Sequence, residues 1–486
     1  MRQRKTRLHR NQPGGLRVAY TAPTVTAPLT AGLTSAALGA LQARFGEALS
    51  TAPAVLEAHG RDESRLDFAL PGAVLFAASE LDVVDALGLA REHGFPVVPF
   101  AAGSSLEGQV VPVAGGLSLD VTGLNRVLEV HPGGFQATVQ PGVTYPELNR
   151  QVRSQGLFFP VDPGAEATLG GMASTNASGT AAVKYGTMRD NVLEMRVALM
   201  DGRVIRVGSK ARKSSAGYDL RHLFIGAEGT LGIITELTVK LHPLPAHLIV
   251  LRCNFERIED AAACAVGIMG AALQPERLEL IDEHEIHAVN VHKGASYPEA
   301  PTLWIELASP SEVALAEALE LCAELCRDAG GRGLATARSA AERAEIWEAR
   351  HHAYYAMCAL YPDHARLNTD LCVPLHRLPE IIAFTRAEAD AAGLHASILG
   401  HVGDGNFHVL FHARPDDTAT WASIRGVYDR MTARTLELGG TCSGEHGVGL
   451  HKRAYVAQEH AGALDLMHDL KRLLDPQGLL NPGKIL

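Results

Sequence analysis

The chain has 486 residues, 47% of them hydrophobic and 20% charged, which fits a globular protein of two or three domains and excludes a disordered one. A formal charge of −10 argues against general nucleic-acid binding, because phosphate backbones are held by clustered Lys and Arg; a small acid in a local basic pocket stays open. The seven cysteines are scattered and form no CxxC pair, which speaks for a reducing compartment and against a disulfide framework or iron-sulfur cluster.

Residues 1–46 carry several arginines and no acid, and are expected to be a disordered basic extension. From Ser79 the pattern becomes helical, with a cap at Ser79, apolar residues at 81, 84 and 87 and a stop at Gly94; "FPVVPF" then reads as a buried strand. Strand-like runs follow at "GLSLDVT", "RVLEVH" and "FQATVQ", then a helix at "YPELNRQVRSQG" and a hairpin at "LEMRVALMDGRVIRVG" with Asp201-Gly202 as its two-residue turn. The prolines at 243–245 mark a boundary. Beyond it lie the strand "LWIEL", helices over 311–329 and 340–360, and a mixture of strands and helices of α+β type. The longest apolar run, "AAACAVGIMGAAL" at 261–273, is shorter than the roughly 20 residues a transmembrane helix needs.

Neither a GxGxxG after a strand nor a GxxxxGK[ST] is present. Instead three glycine-rich segments stand beside predicted strands of the first unit: "AAGSSLEG" at 101–108, "PGAEATLGGMASTNASGTAAVKYG" at 163–186 and "GAEGTLGIIT" at 226–235. Successive N–H groups in such loops can cradle phosphate oxygens. One loop of this kind is usually a turn, but three in one domain, the longest nearly uncharged, are hard to explain as linkers.

In the second unit, "HVGDGNFH" sets two imidazoles around a cluster of turn formers. A hairpin with a four-residue loop would place Val402 opposite Phe407 and His401 opposite His408, with Cβ atoms about 5 Å apart, suited to chelating one ion. Two histidines on a sheet face are more often merely solvated, so a third ligand is needed; Glu445 in "SGEHGVGLHKR", with His446 beside it, offers a carboxylate, but taken alone Glu445-His446 between glycines is more often a turn. Two His and one carboxylate leave open positions on a metal, and Zn, Mn and Fe all accept that set. On these residues alone, a flavin-free metal-dependent hydrolase or a non-catalytic metal-binding subunit competes with an oxidoreductase.

The order "FPVVPFAAGSSLEG", "VDPGAEATLGGMASTNASGTAAVKYGTMRDNV", "GAEGTLGIIT", "GHVGDGNFH", "SGEHGVGLHKR" and "DPQGLLNPGKIL" resembles the FAD-linked 2-hydroxy-acid dehydrogenases of the vanillyl-alcohol oxidase and p-cresol methylhydroxylase superfamily, the D-lactate (cytochrome) branch in particular. The resemblance implies an α+β protein: a two-part FAD-binding domain of the p-cresol methylhydroxylase type at 47–245, and an α+β substrate and metal cap domain at 246–486 whose C-terminal tail returns to the FAD. It implies FAD contacts at Ala102, Gly103, Ser104, Ser105, Leu106, Gly142, Pro163, Gly164, Gly170, Gly171, Ser174, Ser178, Gly179, Gly186, Glu228, Gly229, Ile234 and Asn481. No His or Cys stands in the first loop, so the flavin is expected to be non-covalent. The resemblance further implies a divalent metal on His401, His408 and Glu445, with His446 as general base and Arg350 clamping the substrate carboxylate. Asp404 either orients a ligating histidine or holds the turn.

The implied reaction is oxidation of a small D-2-hydroxy acid, D-lactate to pyruvate, with electrons leaving to a cytochrome, quinone or electron-transfer protein. Within the family the alternatives are a glycolate oxidase flavoprotein subunit and a D-2-hydroxyglutarate dehydrogenase. The latter carry Lys where Asn368 stands here and Asn where Leu410 stands, so a distal carboxylate would lose partners. The expected location is cytoplasmic, at most peripheral at a membrane, or mitochondrial in a eukaryote.

Overall fold

The computed structural model describes residues 32–64 and 67–486. Its first helix, Ser35–Phe45, is capped by the Thr34 hydroxyl on the Ala37 N–H and packs Ala37 and Leu41 into a core with Val83 and Leu87. The expectation of a disordered extension to residue 46 is therefore corrected over this stretch: Ala37, Leu41 and Phe45 recur at helical spacing and give it an apolar stripe. Residues 1–31 of that expectation lie outside the described residues. Arg44 fixes the helix to its neighbour through Asp85, at 2.7 Å.

The neighbour is Glu80–His93, which starts on Ser79 and ends at Gly94, where φ of 70° suits glycine. It leads into Val97–Phe100, which lies parallel to Leu117–Asp120, itself parallel to Ala73–Phe76; Leu49–Ser50 adds an antiparallel edge. A second, antiparallel sheet runs in the order Val127–His131, Gln136–Val139, Ile233–Lys240, Val192–Ala198, Val204–Gly208. Its last hairpin pairs Leu199 with Arg203, leaving Met200-Asp201-Gly202 as a three-residue loop instead of the two-residue turn expected. Gly202, at φ 89°, takes the left-handed position that such loops require.

The cap is built on one antiparallel sheet in the order Arg332–Ala337, His247–Asn254, Thr302–Ser309, Arg277–Ile281, Ala396–Gly400, Asn406–Ala413, Ala365–Asn368. One face is covered by Ile258–Gly270, Glu312–Asp328 and Leu378–Ala391, whose apolar residues join the main cap core. The cap docks on the first domain through Glu276, which receives the Tyr185 hydroxyl at 2.7 Å and pairs with Lys184. After Leu464–Leu474 the tail crosses back: Asn481 donates its N–H to Val97 C=O at 2.8 Å, extending the parallel sheet by one strand position.

On Glu283–Lys293, packed against the cap sheet, Glu285 is fully buried and burial pushes its carboxyl up to about 8. A carboxyl whose folded value lies above its unfolded one takes up a proton on folding, so it costs stability as pH rises from about 4.5 through 8. Glu285→Gln should match the native chain in thermal unfolding near pH 5 and exceed it by at least about 3 °C at pH 8.5. A difference that does not change between these pH values would contradict the assignment.

Candidate active site

The three glycine-rich segments line one continuous cavity in the first domain. The sequence builds it from small residues because backbone must approach backbone: at Gly229, with φ 69°, a Cβ would stand 2.3 Å from Pro99 Cγ. Every residue expected at the flavin borders this cavity except Gly142, Gly179 and Gly186. Those three sit at tight points of the framework. A Cβ at Gly142 would lie 2.7 Å from Thr122 O, one at Gly179 would lie 1.8 Å from Asp162 O, and Gly186, at φ 76°, ends the helix Ala182–Tyr185. Asn481 closes the wall from the tail, its amide donating to Gln109 O at 3.0 Å and Glu228 O at 2.7 Å.

From the loops the cavity extends to the cap, where Arg350, Tyr354, Tyr355, Asn368, Leu399, His401, His408, Glu445 and His446 complete its lining. The register of the histidine hairpin differs from the one expected: Leu399, not His401, faces His408, and residues 401–405 form successive turns closed by Asp404 N–H to His401 C=O and Gly405 N–H to Val402 C=O. Gly405 is held at φ 78° with Val373 O where a Cβ would be, so the loop is longer and the strands slip by two residues. A slip of two keeps each side chain on its face, and the imidazoles still meet edge to face at 5.5 Å between ring centroids. Asp404 is exposed, and its backbone N–H closes the first of these turns.

Both imidazoles address one oxygen: His401 Nε2 and His408 Nε2 each lie 3.2 Å from Glu445 Oε1. Their other nitrogens are engaged, His401 Nδ1 with Glu279 Oε1 at 2.7 Å and His408 Nδ1 with Thr369 C=O at 3.1 Å. An Nδ1–H donated to a backbone carbonyl leaves the Nε2 lone pair for a ligand. Glu445 Oε2 is buried without a hydrogen-bond partner. Burial alone would raise the Glu445 carboxyl, but the two imidazoles hold it well below the usual range. A carboxylate with an orphaned oxygen between two oriented imidazoles fits a divalent cation.

A second group, Asp370, His408 and His446, is close enough to share an ion but is already served. Lys452, fully buried, puts its Nζ 3.2 Å from Asp370 Oδ2 and 2.9 Å from Glu107 Oε1. Asp370 Oδ2 also accepts the N–H groups of Glu445, at 2.9 Å, and His446, at 2.8 Å. His446 stacks on His408 with ring centroids 5.0 Å apart, its Nδ1 lying 3.5 Å from Glu107 Oε1. Burial disfavours the imidazolium, yet Asp370 and Glu107 outweigh it and hold the His446 pKa above its ordinary value.

Arg350 borders the cavity, but its Nε and Nη2 both reach Glu279 Oε2, at 2.9 and 2.8 Å. The Nε–Nη2 edge of its guanidinium is thus turned to a protein carboxylate. Leu410 lies away from the cavity, packed in the core with Trp304 and Met357, whereas Asn368 does line it, with its Oδ1 buried and unpartnered. The sequence reading missed Glu279, Asp370, Glu107 and Lys452, which contact the named residues without carrying a motif of their own. The aromatic wall of Tyr354 and Tyr355 was also missed.

Residues 71–208 match the family described as "FAD binding domain", and residues 244–485 match "FAD linked oxidases, C-terminal domain". The chain is 42% identical over 444 residues to a probable mitochondrial D-lactate dehydrogenase of Danio rerio, covering 90% of this chain and 89% of that protein. The chain belongs to the FAD-linked oxidases. A mitochondrial D-lactate dehydrogenase [cytochrome] of Arabidopsis thaliana is 38% identical over 431 residues, 88% of this chain and 76% of that protein. Among solved structures, substrate-bound p-cresol methylhydroxylase superposes with a TM-score of 0.76 at 16% identity, over 93% of this chain and 98% of that one, which shows the shared fold. This FAD-linked oxidase is an FAD-dependent, D-lactate dehydrogenase-like oxidoreductase. A flavin-free hydrolase and a non-catalytic scaffold are overturned by the same matches. Among the described residues no helix is long and apolar enough to cross a membrane.

Glu279 joins the two halves of the site, so its charge can be tested alone. Glu279→Gln removes the partner of both Arg350 and His401, and should lower divalent-metal affinity about 10- to 100-fold and stability by roughly 3 kcal/mol. Isothermal titration and thermal unfolding would check it; native-like values in both would show that Glu279 carries no charge-dependent role.

Proposed function

We propose that this oxidase converts a small D-2-hydroxy acid to its 2-oxo acid, with D-lactate to pyruvate as the reaction, and passes the electrons to a cytochrome, quinone or other carrier. The observation that carries the reading is that His401, His408, Glu445 and His446 converge at one end of the cavity whose other walls are the glycine-rich loops. Metal trio and flavin loops therefore share one chamber.

FAD, when bound, supplies the hydride acceptor, and a divalent ion on the two imidazoles and Glu445 supplies Lewis acidity at the substrate hydroxyl. The chain's own residues do the rest. His446 takes the hydroxyl proton as the Cα–H leaves as hydride, and the imidazolium so formed is stabilised by the carboxylates of Asp370 and Glu107. Arg350 supplies positive charge beside the substrate carboxylate while Glu279 fixes its orientation. Tyr354, Tyr355 and Leu399 shield the chamber and bound its size. Because carboxylate, hydroxyl and Cα–H each meet a different wall, one enantiomer fits. No His or Cys stands in the 101–108 loop, which supports a flavin held there without a covalent bond and released on acid precipitation.

Substrate length is limited by neutrality at the cavity end marked by Asn368. A distal carboxylate would meet an amide where a cation is needed, and a missing charge-assisted hydrogen bond costs about 1.5–3 kcal/mol, or roughly 10- to 100-fold. Stopped-flow flavin reduction should give D-lactate or D-2-hydroxybutyrate the higher kcat/KM over D-2-hydroxyglutarate, with the L-enantiomers poor. A preference for the dicarboxylate would replace the lactate reading with the hydroxyglutarate one. In the same assay His446→Ala should retain FAD and metal and lose at least about 100-fold in the reductive step. Retention of the native rate would remove His446 from the chemistry.

A further inference from the structure

Lys452 is a long cationic side chain with no exposed surface, and nothing in the reaction above uses it. Burying an ammonium is costly unless it is paired and hydrogen-bonded. Here it meets three groups: Glu107 Oε1 at 2.9 Å, Asp370 Oδ2 at 3.2 Å and Ser443 Oγ at 3.2 Å. Each comes from a different stretch of chain. Glu107 lies in the first glycine-rich loop of the flavin domain, Asp370 lies between two cap strands, and Ser443 opens the loop that carries Glu445 and His446.

Asp370 is the hub of that loop. Its Oδ2 accepts from Ser443 Oγ at 3.0 Å, Glu445 N–H at 2.9 Å and His446 N–H at 2.8 Å, while its Oδ1 accepts from the Asn406 amide at 2.9 Å. These bonds set the backbone from which the Glu445 and His446 side chains project. They are strongest when Asp370 is ionised, and Asp370 sits in a region dense with buried carboxylates: Glu107, Glu279 and Glu445 all have little or no exposure. Two carboxylates this close to one another cannot both stay charged without a cation between them. Lys452 stands between Glu107 and Asp370, the carboxylate that faces His446 Nδ1 and the carboxylate that holds the His446 backbone.

We propose that Lys452 is a positioning residue for the reductive step: its ammonium, set between Glu107 and Asp370, keeps the 443–446 loop in the conformation that presents Glu445 to the metal and His446 to the substrate. It touches neither substrate nor cofactor and acts through the two carboxylates. The inference rests on the function proposed above for His446 and Glu445, but its structural half, the presentation of Glu445, is independent of any substrate. The neighbouring His451 bonds to Glu107 Oε2 at 3.2 Å and to Asp67 at 2.6 Å, so Glu107 stays anchored within the flavin domain when Lys452 is altered.

The test compares the native flavoprotein with Lys452→Met and Lys452→Arg. FAD content is read from absorbance, Zn²⁺ and Mn²⁺ affinity from competition with a chelator, and flavin reduction by D-lactate from stopped flow. In K452M, FAD should remain stoichiometric, metal affinity should fall at least about tenfold, and the limiting reduction rate should fall about 100-fold with the apparent KM changing less than about threefold. K452R, which restores the cation, should return metal affinity to within about threefold of native and the reduction rate to within about tenfold. Should K452M fail to accumulate with FAD, Lys452→Gln, which keeps two N–H donors without the charge, is expected to show the same losses. Native metal affinity and native reduction rate in a folded, FAD-loaded neutral variant would overturn the proposal, as would losses that K452R does not reverse. If the native protein is not reduced by any 2-hydroxy acid, the proposed function fails while the metal-affinity comparison still decides the role of Lys452.

Discussion

Gathering several carboxylates and imidazoles out of water is unfavourable unless each charge finds an opposite charge and each lone pair a donor, and the 443–452 loop is where this structure meets that requirement. The loop is pinned from two sides. On the cap side, Asp370 binds its backbone at Glu445 and His446. On the flavin side, Glu228 accepts the N–H groups of Val448, at 2.6 Å, and Gly449, at 2.9 Å, while Glu107 C=O accepts from Leu450 N–H at 2.7 Å. Glu445 and His446 are therefore fixed relative to both domains at once.

This double attachment explains why the chemistry sits at the domain junction. The glycine-rich loops form a cradle of small residues, while His401 and His408 come from the cap. Glu445 completes the trio only because the chain, having finished the cap, returns across the interface and ends in a tail whose Asn481 reaches the cavity wall beside Glu228. Small backbone clearances make the return possible: at Gly449 a Cβ would stand 2.0 Å from Glu107 O. A change at any of these crossings should be felt in the chemistry before it is felt in either core.

Much of this was legible in the sequence where a local rule governs. Ser79 and Gly94 bracket their helix because capping and left-handed termination are short-range effects, and the small-residue loops stand out because close backbone approach leaves a compositional trace. The convergence of His401, His408 and Glu445 was expected from the family resemblance, since the two histidines alone read more often as a solvated pair. Glu279, Asp370, Glu107 and Lys452 were not, since in "RLELI", "LNTD", "SLEG" and "LHKR" each looks like an ordinary surface charge, and their partners lie tens to hundreds of residues away. The pairing of Arg350 with Glu279 was hidden for the same reason: its carboxylate partner is a β-strand residue 71 positions earlier. The hairpin slip came from Gly405, whose contact with Val373 O is tertiary.

The most direct test of the whole account is pulsed electron paramagnetic resonance of the FAD-loaded protein carrying Mn²⁺. Two imidazole nitrogens coupled directly to the ion, one lost in His401→Ala and the other in His408→Ala, with the signal perturbed when D-lactate is added to a flavin that cannot turn over, is the result the structure predicts. An ion coordinated only by oxygen, or one whose spectrum ignores both substitutions and the substrate, would contradict a metal centre shared between the cap and the flavin cavity.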